Sequence, residues 1–345
     1  MKYRLLGNSG LRVSEVALGT MTFGEEWGWG APKDESQKIY DTYRAAGGNF
    51  IDTANVYTNG TSESFVGEFI RDHRQSMVLA TKYTCAVTTG DANAGGNHRK
   101  SMVQALESSL RRLKTDYIDL YWLHVWDQMT PAEEVMRAFD DLVRQGKVLY
   151  IGISDTPAWW IAQANTLAGL RGWTQFVGLQ IEYSLSERTV ERELIPMAKA
   201  LKLGLVAWGP LAGGVLSGKY HSGKGDEARY QSRILEASRT GERVDRIVHA
   251  LESVAVDAGR SVAQVALAWL RYRDIPVIPI VGARRVAQLE DNLASLELEL
   301  TRDQVAVLDQ ASSIRLGFPY DVYRRERIVT FVYAGMRDKI LAPGF

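Results

Sequence analysis

Four residues of this chain have the types and spacing to move a proton onto an oxygen that is gaining negative charge. Asp52 closes the apolar run Phe50-Ile51, and Tyr57 follows it by five residues. Lys82 closes the run 78–81, and His124 closes the run 117–123. A phenol titrates at about 10 in water, so Tyr57 by itself is a poor acid at neutral pH. A nearby Lys82 ammonium is expected to stabilise the phenolate and lower that pKa. Asp52, paired with Lys82, would keep the lysine charged and fixed. His124 can donate a hydrogen bond to an oxygen as charge develops on it. Tyr57 then delivers the proton, and in the reverse direction its phenolate is the base. A lone Asp at a strand end is commonly a helix cap, and a lone His in Tyr-Trp-Leu-His is commonly structural. Four complementary groups at the same ends of three successive strands are not explained in that way.

The elements that must position these groups follow from the pattern. Residues 1–13 read as a hairpin, with Tyr3-Arg4-Leu5-Leu6 and Leu11-Arg12-Val13 flanking Gly7-Asn8-Ser9-Gly10. Short apolar strands are then expected at 16–19, from 50, and at 78–81, 117–124, 148–153, 176–181, 205–208 and 276–281. Amphipathic segments at 34–46, 62–72, 99–113, 131–145, 159–167, 187–202 and 286–296 alternate with them. Eight such units imply an α/β fold, a closed parallel (β/α)8 TIM barrel with helices outside. Continuous apolar strands suit burial on both faces. Extra helices are expected after the seventh and eighth strands, at 245–257, at 261–271 and beyond Thr301. Ser261-x-x-Gln264 and Thr301-x-x-Gln304 read as capping boxes. With no linker in view, 1–345 is read as one domain whose tail, 315–345, packs its aromatics on the barrel. An open dinucleotide-binding sheet would announce itself with G-x-G-x-x-G after the first strand. Thr20-Met21-Thr22-Phe23-Gly24 stands there instead.

Composition narrows the function classes. A length of 345 residues exceeds one small core and fits either two domains or one large barrel. The formal net charge is +0, so there is no basic field to hold nucleic acid. No apolar run is long enough to span a bilayer, and no signal peptide opens the chain, so a cytoplasmic location is expected. The single cysteine, Cys85, excludes an internal disulfide and is read as an inert thiol. No metal is expected, and a homo-oligomer is left open.

Two loops are suited to an anion. Trp208-Gly209-Pro210-Leu211-Ala212-Gly213 follows the seventh strand, and Gly213 to Lys219 nearly spells a P-loop. Tyr220 replaces the Ser or Thr that would hold magnesium, which argues against nucleotide hydrolysis. A glycine-rich loop with a lysine remains, suited to a pyrophosphate. Gly282-Ala283-Arg284 follows the eighth strand and opens a helix, the usual phosphate site of such barrels. The Arg284 fork suits a 2′-phosphate, and Gln288 and Asn292 share a helix face that can meet an adenine edge.

In order and local sequence, Asp52, Tyr57, Lys82 and His124 resemble the aldo-keto reductase family, and the resemblance runs over most of the chain. The nearest flavour is the branch of aryl-alcohol-dehydrogenase-like reductases and potassium-channel beta subunits. The resemblance implies NADP(H) and reversible reduction of an aldehyde or ketone to an alcohol, with Tyr57 as proton donor. It implies that Thr20 and Met21 lie by the nicotinamide ribose, that Asp52 also contacts the cofactor, that Ser154, Asp155 and Gln180 hold the carboxamide, and that Trp208 stacks on the ring. Gly209, Pro210, Leu211, Gly213 and Lys219 would close over the pyrophosphate. Gly282, Arg284, Gln288, Asp291 and Asn292 would take the adenosine end. Asp155 stands where the family has Asn, and Asp291 where it has Glu. Phe23, Trp27, Tyr83 and Trp126 are expected to line an apolar mouth for a small-molecule carbonyl or alcohol, favouring aryl or bulky ones. The glycine-rich loop 90–97 is expected to act as a flap. The channel subunits supply a rival reading, an NADP-binding sensor or partner protein with little turnover, but they typically carry Asn where this chain has His124. A Schiff-base role for Lys82 needs a depressed pKa, which Asp52 opposes.

Overall fold

The computed structural model describes residues 1–218 and 241–341. Strands β1 (Tyr3–Leu5) and β2 (Arg12–Ser14) form an antiparallel hairpin. Eight parallel strands follow and close into a barrel. They are β3 (Ala17–Gly19), β4 (Phe50–Asp52), β5 (Val78–Tyr83), β6 (Ile118–Leu123), β7 (Val148–Ser154), β8 (Phe176–Glu182), β9 (Gly204–Trp208) and β10 (Val277–Gly282), with β10 returning to β3. Helices α1 (Lys33–Ala45), α2 (Thr61–Phe69), α3 (Arg99–Leu113), α4 (Ala132–Arg144), α5 (Ala158–Arg171) and α6 (Leu194–Ala200) follow the first six barrel strands. After β9 come α7 (Glu242–Ala258) and α8 (Val262–Trp269); after β10 come α9 (Val286–Ala294) and α10 (Arg302–Ser312). Among the described residues, no helix is long and apolar enough to cross a membrane.

The two cores explain the architecture. Strand side chains alternate between faces. One cluster fills the barrel interior with Ala17, Phe50, Val78, Ala80, Leu120, Trp122, Val206 and Ile278, and the hairpin closes it with Leu6 and Val13. The alternate strand residues, such as Ile51, Leu79 and Tyr121, belong to a second cluster that meets the helices. Asp52, Lys82, His124, Gln180 and Trp208 continue the inward-facing register of their strands past its apolar layers. The barrel therefore presents its uppermost interior layer as polar groups at the strand C-termini, where such barrels do chemistry. Trp122 sets the spacing beneath them. Its ring lies 2.2 Å from where a Cβ on Gly152 would sit and 2.9 Å from one on Gly178, so both positions must lack a side chain.

Three expectations are revised. The helix expected at 187–202 is a short turn at Thr189–Glu191 and then α6. Pro196 lacks an N–H and its ring would meet the carbonyl four residues back, so it is confined to the first turn of α6 and the helix cannot reach back to 187. The capping box at Thr301–Gln304 is reciprocal, but Gln264 gives its side chain to Asp291 and leaves Ser261 a one-way cap. The tail meets the barrel where Arg192 donates to the Arg315 carbonyl (2.9 Å) and the Tyr320 hydroxyl donates to the Arg192 carbonyl. Beyond that the described aromatics Phe318, Tyr323, Phe331 and Tyr333 stay exposed rather than packing on the barrel. Phe318 is 85% exposed, and helix α12 (Glu326–Tyr333), which packs on α11 (Tyr320–Tyr323), buries no residue.

Candidate active site

Lys82 organises the upper end of the barrel. Its ammonium donates to Asp52 Oδ1 at 2.5 Å, to the Thr53 carbonyl at 2.9 Å and to Tyr57 Oη at 3.0 Å. All three N–H donors are thereby used on a side chain that is 0% exposed. Burial works to strip the ammonium of its proton, but Asp52 and Tyr57 beside it outweigh that and hold its pKa above the ordinary lysine range. The second Asp52 oxygen accepts from Gln180 Nε2 at 2.8 Å. Strands β4, β5 and β8 are thus tied through one carboxylate. Tyr57 arrives from the loop after β4, where Thr58 and Asn59 adopt positive φ and bring the chain round.

The phenol does not behave as its neighbours alone suggest. Burial raises the Tyr57 pKa, and Lys82 lowers it by less, so the net shift is upward. The sequence reading expected a fall, because it counted the lysine and not the loss of water. Tyr57 consequently keeps its proton at neutral pH. His124 lies edge-on to Tyr57, with ring centroids 6.0 Å apart. Burial, with Lys82 adding to it, pushes the imidazole pKa down to about 3. Nδ1 is buried without a partner. A bare lone pair is better tolerated there than an orphaned N–H, which assigns the proton to Nε2 on the cleft side.

A cleft of about 660 Å³ opens over this cluster. Its walls include Met21, Asp52, Tyr57, His124, Ser154, Asp155, Gln180 and Trp208 at one end, and Arg284, Gln288, Asp291 and Asn292 at the other. Gly209, Pro210, Leu211 and Gly213 flank it from the loop after β9, and Gly282 from the end of β10. Lys219 lies outside the described residues. Thr20 is fully buried beneath the floor, where its hydroxyl donates to the Asp52 carbonyl. The indole of Trp208 donates to Asp155 Oδ1 at 3.0 Å. Asp155 is exposed to the cleft, and partial loss of water around its carboxyl raises its pKa to about 6. Ser154 Oγ is buried without a partner at the cleft wall. At the far end, the Gln288 side chain accepts from the Arg284 backbone N–H at 2.9 Å. Asp291 accepts from Ser261 Oγ (2.9 Å) and Gln264 Nε2 (2.7 Å). Gln264 was not anticipated as a neighbour of this end, because its spacing from Ser261 reads as an ordinary cap.

The four expected mouth aromatics divide. Trp27 stands edge-on to Tyr57, with centroids 6.4 Å apart. Trp126 follows His124, and its backbone N–H donates to the Asp155 carbonyl (3.4 Å). Phe23 and Tyr83 are fully buried instead. Phe23 packs against Phe69, and Tyr83 against Tyr121 and Phe139. Tyr83 adjoins inward-facing Lys82 on one strand and must therefore face outward, into the helix layer. Trp29 stands beside Trp27, and Trp159 edge-on to Trp126; neither was singled out. The 90–97 loop is anchored at its end. Asn97 and Asp127 exchange two bonds, at 2.8 and 2.7 Å. The Cys85 thiol is pushed up by burial, which keeps it protonated and inert.

A closed barrel with an acid–base cluster at its strand ends and a long cleft bearing anion-ready loops defines an oxidoreductase of the nicotinamide class. The Aldo/keto reductase family model matches residues 15–313. The chain is 39% identical to an aryl-alcohol dehydrogenase [NADP(+)] of Phanerodontia chrysosporium, with 92% of this chain and 87% of that protein covered. It is 39% identical to a norsolorinic acid reductase of Aspergillus flavus (92% and 82% covered) and 36% identical to an aryl-alcohol dehydrogenase of Pestalotiopsis microspora (92% and 84%). The chain belongs to the aldo/keto reductase family, whose members use NADP(H).

The depressed His124 pKa is directly measurable. In a ¹⁵N NMR titration the imidazole should remain neutral at about pH 5, where a free histidine is protonated. The sign follows, since the unfolded chain binds this proton below about 6.5 and the native state does not, so stability is lost as pH falls. A His124 imidazolium forming between about pH 6 and 7 would contradict the assigned environment.

Proposed function

We propose that the chain reversibly reduces an aldehyde or ketone to an alcohol, with Tyr57 as the proton donor. The observation that carries this reading is the single Lys82 ammonium that touches both Asp52 and the Tyr57 hydroxyl beneath the cleft. Because Tyr57 is protonated at rest, it donates without prior activation. Lys82, held charged by Asp52, stabilises the phenolate left behind. Neutral His124 aims Nε2–H at the same space and hydrogen-bonds the substrate oxygen as it becomes negative. Trp27 and Trp126 offer flat apolar walls, which favours aryl substrates, as does the likeness to aryl-alcohol dehydrogenases. The zero net charge supports a small-molecule partner rather than nucleic acid.

NADPH, when bound, supplies the hydride. The residues present suit it. The unpartnered Ser154 hydroxyl and the amide of Gln180 line the cleft where a carboxamide needs them. Trp208 offers its ring, and the 209–213 loop its glycines. Arg284, which makes no ion pair among the described residues, is left to a 2′-phosphate. Gln288 and Asn292 flank the adenine end. Asp291, committed to Ser261 and Gln264, acts there through α8 rather than as a free contact.

Tyr57→Phe should lower turnover by roughly a hundred- to ten-thousandfold while leaving NADPH affinity nearly unchanged by calorimetry. Loss of both together would overturn the proton-donor assignment. Arg284→Ala should weaken NADPH roughly tenfold more than NADH. Equal weakening would remove the 2′-phosphate contact from the account.

A further inference from the structure

Among the described residues, four carboxylates are buried: Asp52, Glu63, Asp119 and Asp140. Each has a cation beside it. Asp52 has Lys82 (2.5 Å), Glu63 has Arg112 (2.6 Å), Asp119 has Arg74 (2.7 Å) and Asp140 has Arg144 (2.6 Å). Asp155 differs from these four: it stands on the cleft wall, open to the cleft, and among the described residues it has no ion pair. Lys82, whose charge acts on it from further off than an ion pair, is already held by Asp52. Its own recorded side-chain partner is the Trp208 indole N–H, a neutral donor that orients a carboxylate without balancing its charge.

The backbone turns this group toward the cleft. Asp155 follows β7 directly and sits at φ +39°, a left-handed conformation that Asp and Asn enter more readily than most residues. It shares the cleft wall with Ser154, Gln180 and Tyr57. This is the end at which the reading above puts the nicotinamide, and the inference rests on that reading. The oxidised nicotinamide ring is a flat cation, and the reduced ring is neutral. A fixed carboxylate without a paired cation beside it distinguishes the two by charge alone.

We propose that Asp155 selects the redox state of the cofactor: its carboxylate, held by Trp208, completes an ion pair with the oxidised nicotinamide and so favours NADP+ over NADPH. On the protein this tilts the bound equilibrium toward NADP+ and alcohol, the side of carbonyl reduction, and slows loss of NADP+ after the reduction. An asparagine at this position would keep the hydrogen bond from Trp208 and lose the selection.

The test is isothermal titration calorimetry of NADP+ and NADPH, separately, at pH 8, where the carboxyl is ionised. Asp155→Asn tolerates the same backbone conformation and keeps the shape. It should lower the NADP+:NADPH affinity ratio by roughly tenfold, chiefly through weaker NADP+. Trp208→Phe removes the indole donor but not the charge. It should weaken both nucleotides and leave the ratio near the native value. A ratio in Asp155→Asn within about twofold of native overturns the proposal, as does a ratio that collapses equally in Trp208→Phe. If the native protein binds neither nucleotide, the cofactor reading itself fails along with this inference. An unchanged ratio with intact binding removes the inference alone.

Discussion

A charged lysine with no exposed surface is the constraint on which the upper barrel depends. An ammonium taken from water is costly unless it is paired and fully hydrogen-bonded. Lys82 meets both conditions, with one carboxylate, one carbonyl and one phenol for its three protons. Each partner is fixed in turn. Gln180 holds the far oxygen of Asp52, and the Thr20 hydroxyl donates to the Asp52 carbonyl. Thr81, next to Lys82, donates outward to buried Glu63, which Arg112 pairs from α3. Removing any one partner would leave a charge or a donor stranded, so the arrangement is stiff where a proton donor must be placed.

Chemistry and fold are here the same periodicity. Inward-facing positions carry Val, Ala, Leu and Trp through the lower layers and change to Asp, Lys, His, Gln and Trp at the rim. The hairpin fills the bottom and Trp122 the middle, using the space left by Gly152 and Gly178. A packed interior leaves the polar rim facing one cleft rather than a channel. Tyr57 alone of the acid–base group comes from a loop, and its position depends on positive-φ residues that follow it.

Much of this could be read from the residues, because an apolar run that ends in a polar residue states both the strand and the face of its last side chain. The eight units, the hairpin and the acid–base group follow from that pattern. Tyr83 was readable by the same rule and was misplaced because aromatic character was weighed above alternation. Phe23, on a loop, carries no period, and its contact with Phe69 depends on tertiary packing. The upward shift of the Tyr57 pKa was not readable, since it arises from how completely water is excluded. Nor was the link from Asp291 to Ser261 and Gln264, in which a residue that looks like a cap serves a different helix. The missing cation at Asp155 became visible only when the four buried carboxylates had each been paired by distance.

The account rests on Lys82 and its partners being an acid–base engine rather than the framework of a nucleotide-binding sensor. The direct measurement is NADPH consumption by the purified protein across aliphatic, aryl and sugar-like aldehydes and ketones, with NADH run alongside. Turnover of a carbonyl class, aryl compounds foremost, with NADPH preferred over NADH is the expected result. Tight NADPH binding without turnover in either direction would contradict it and return the chain to the sensor reading.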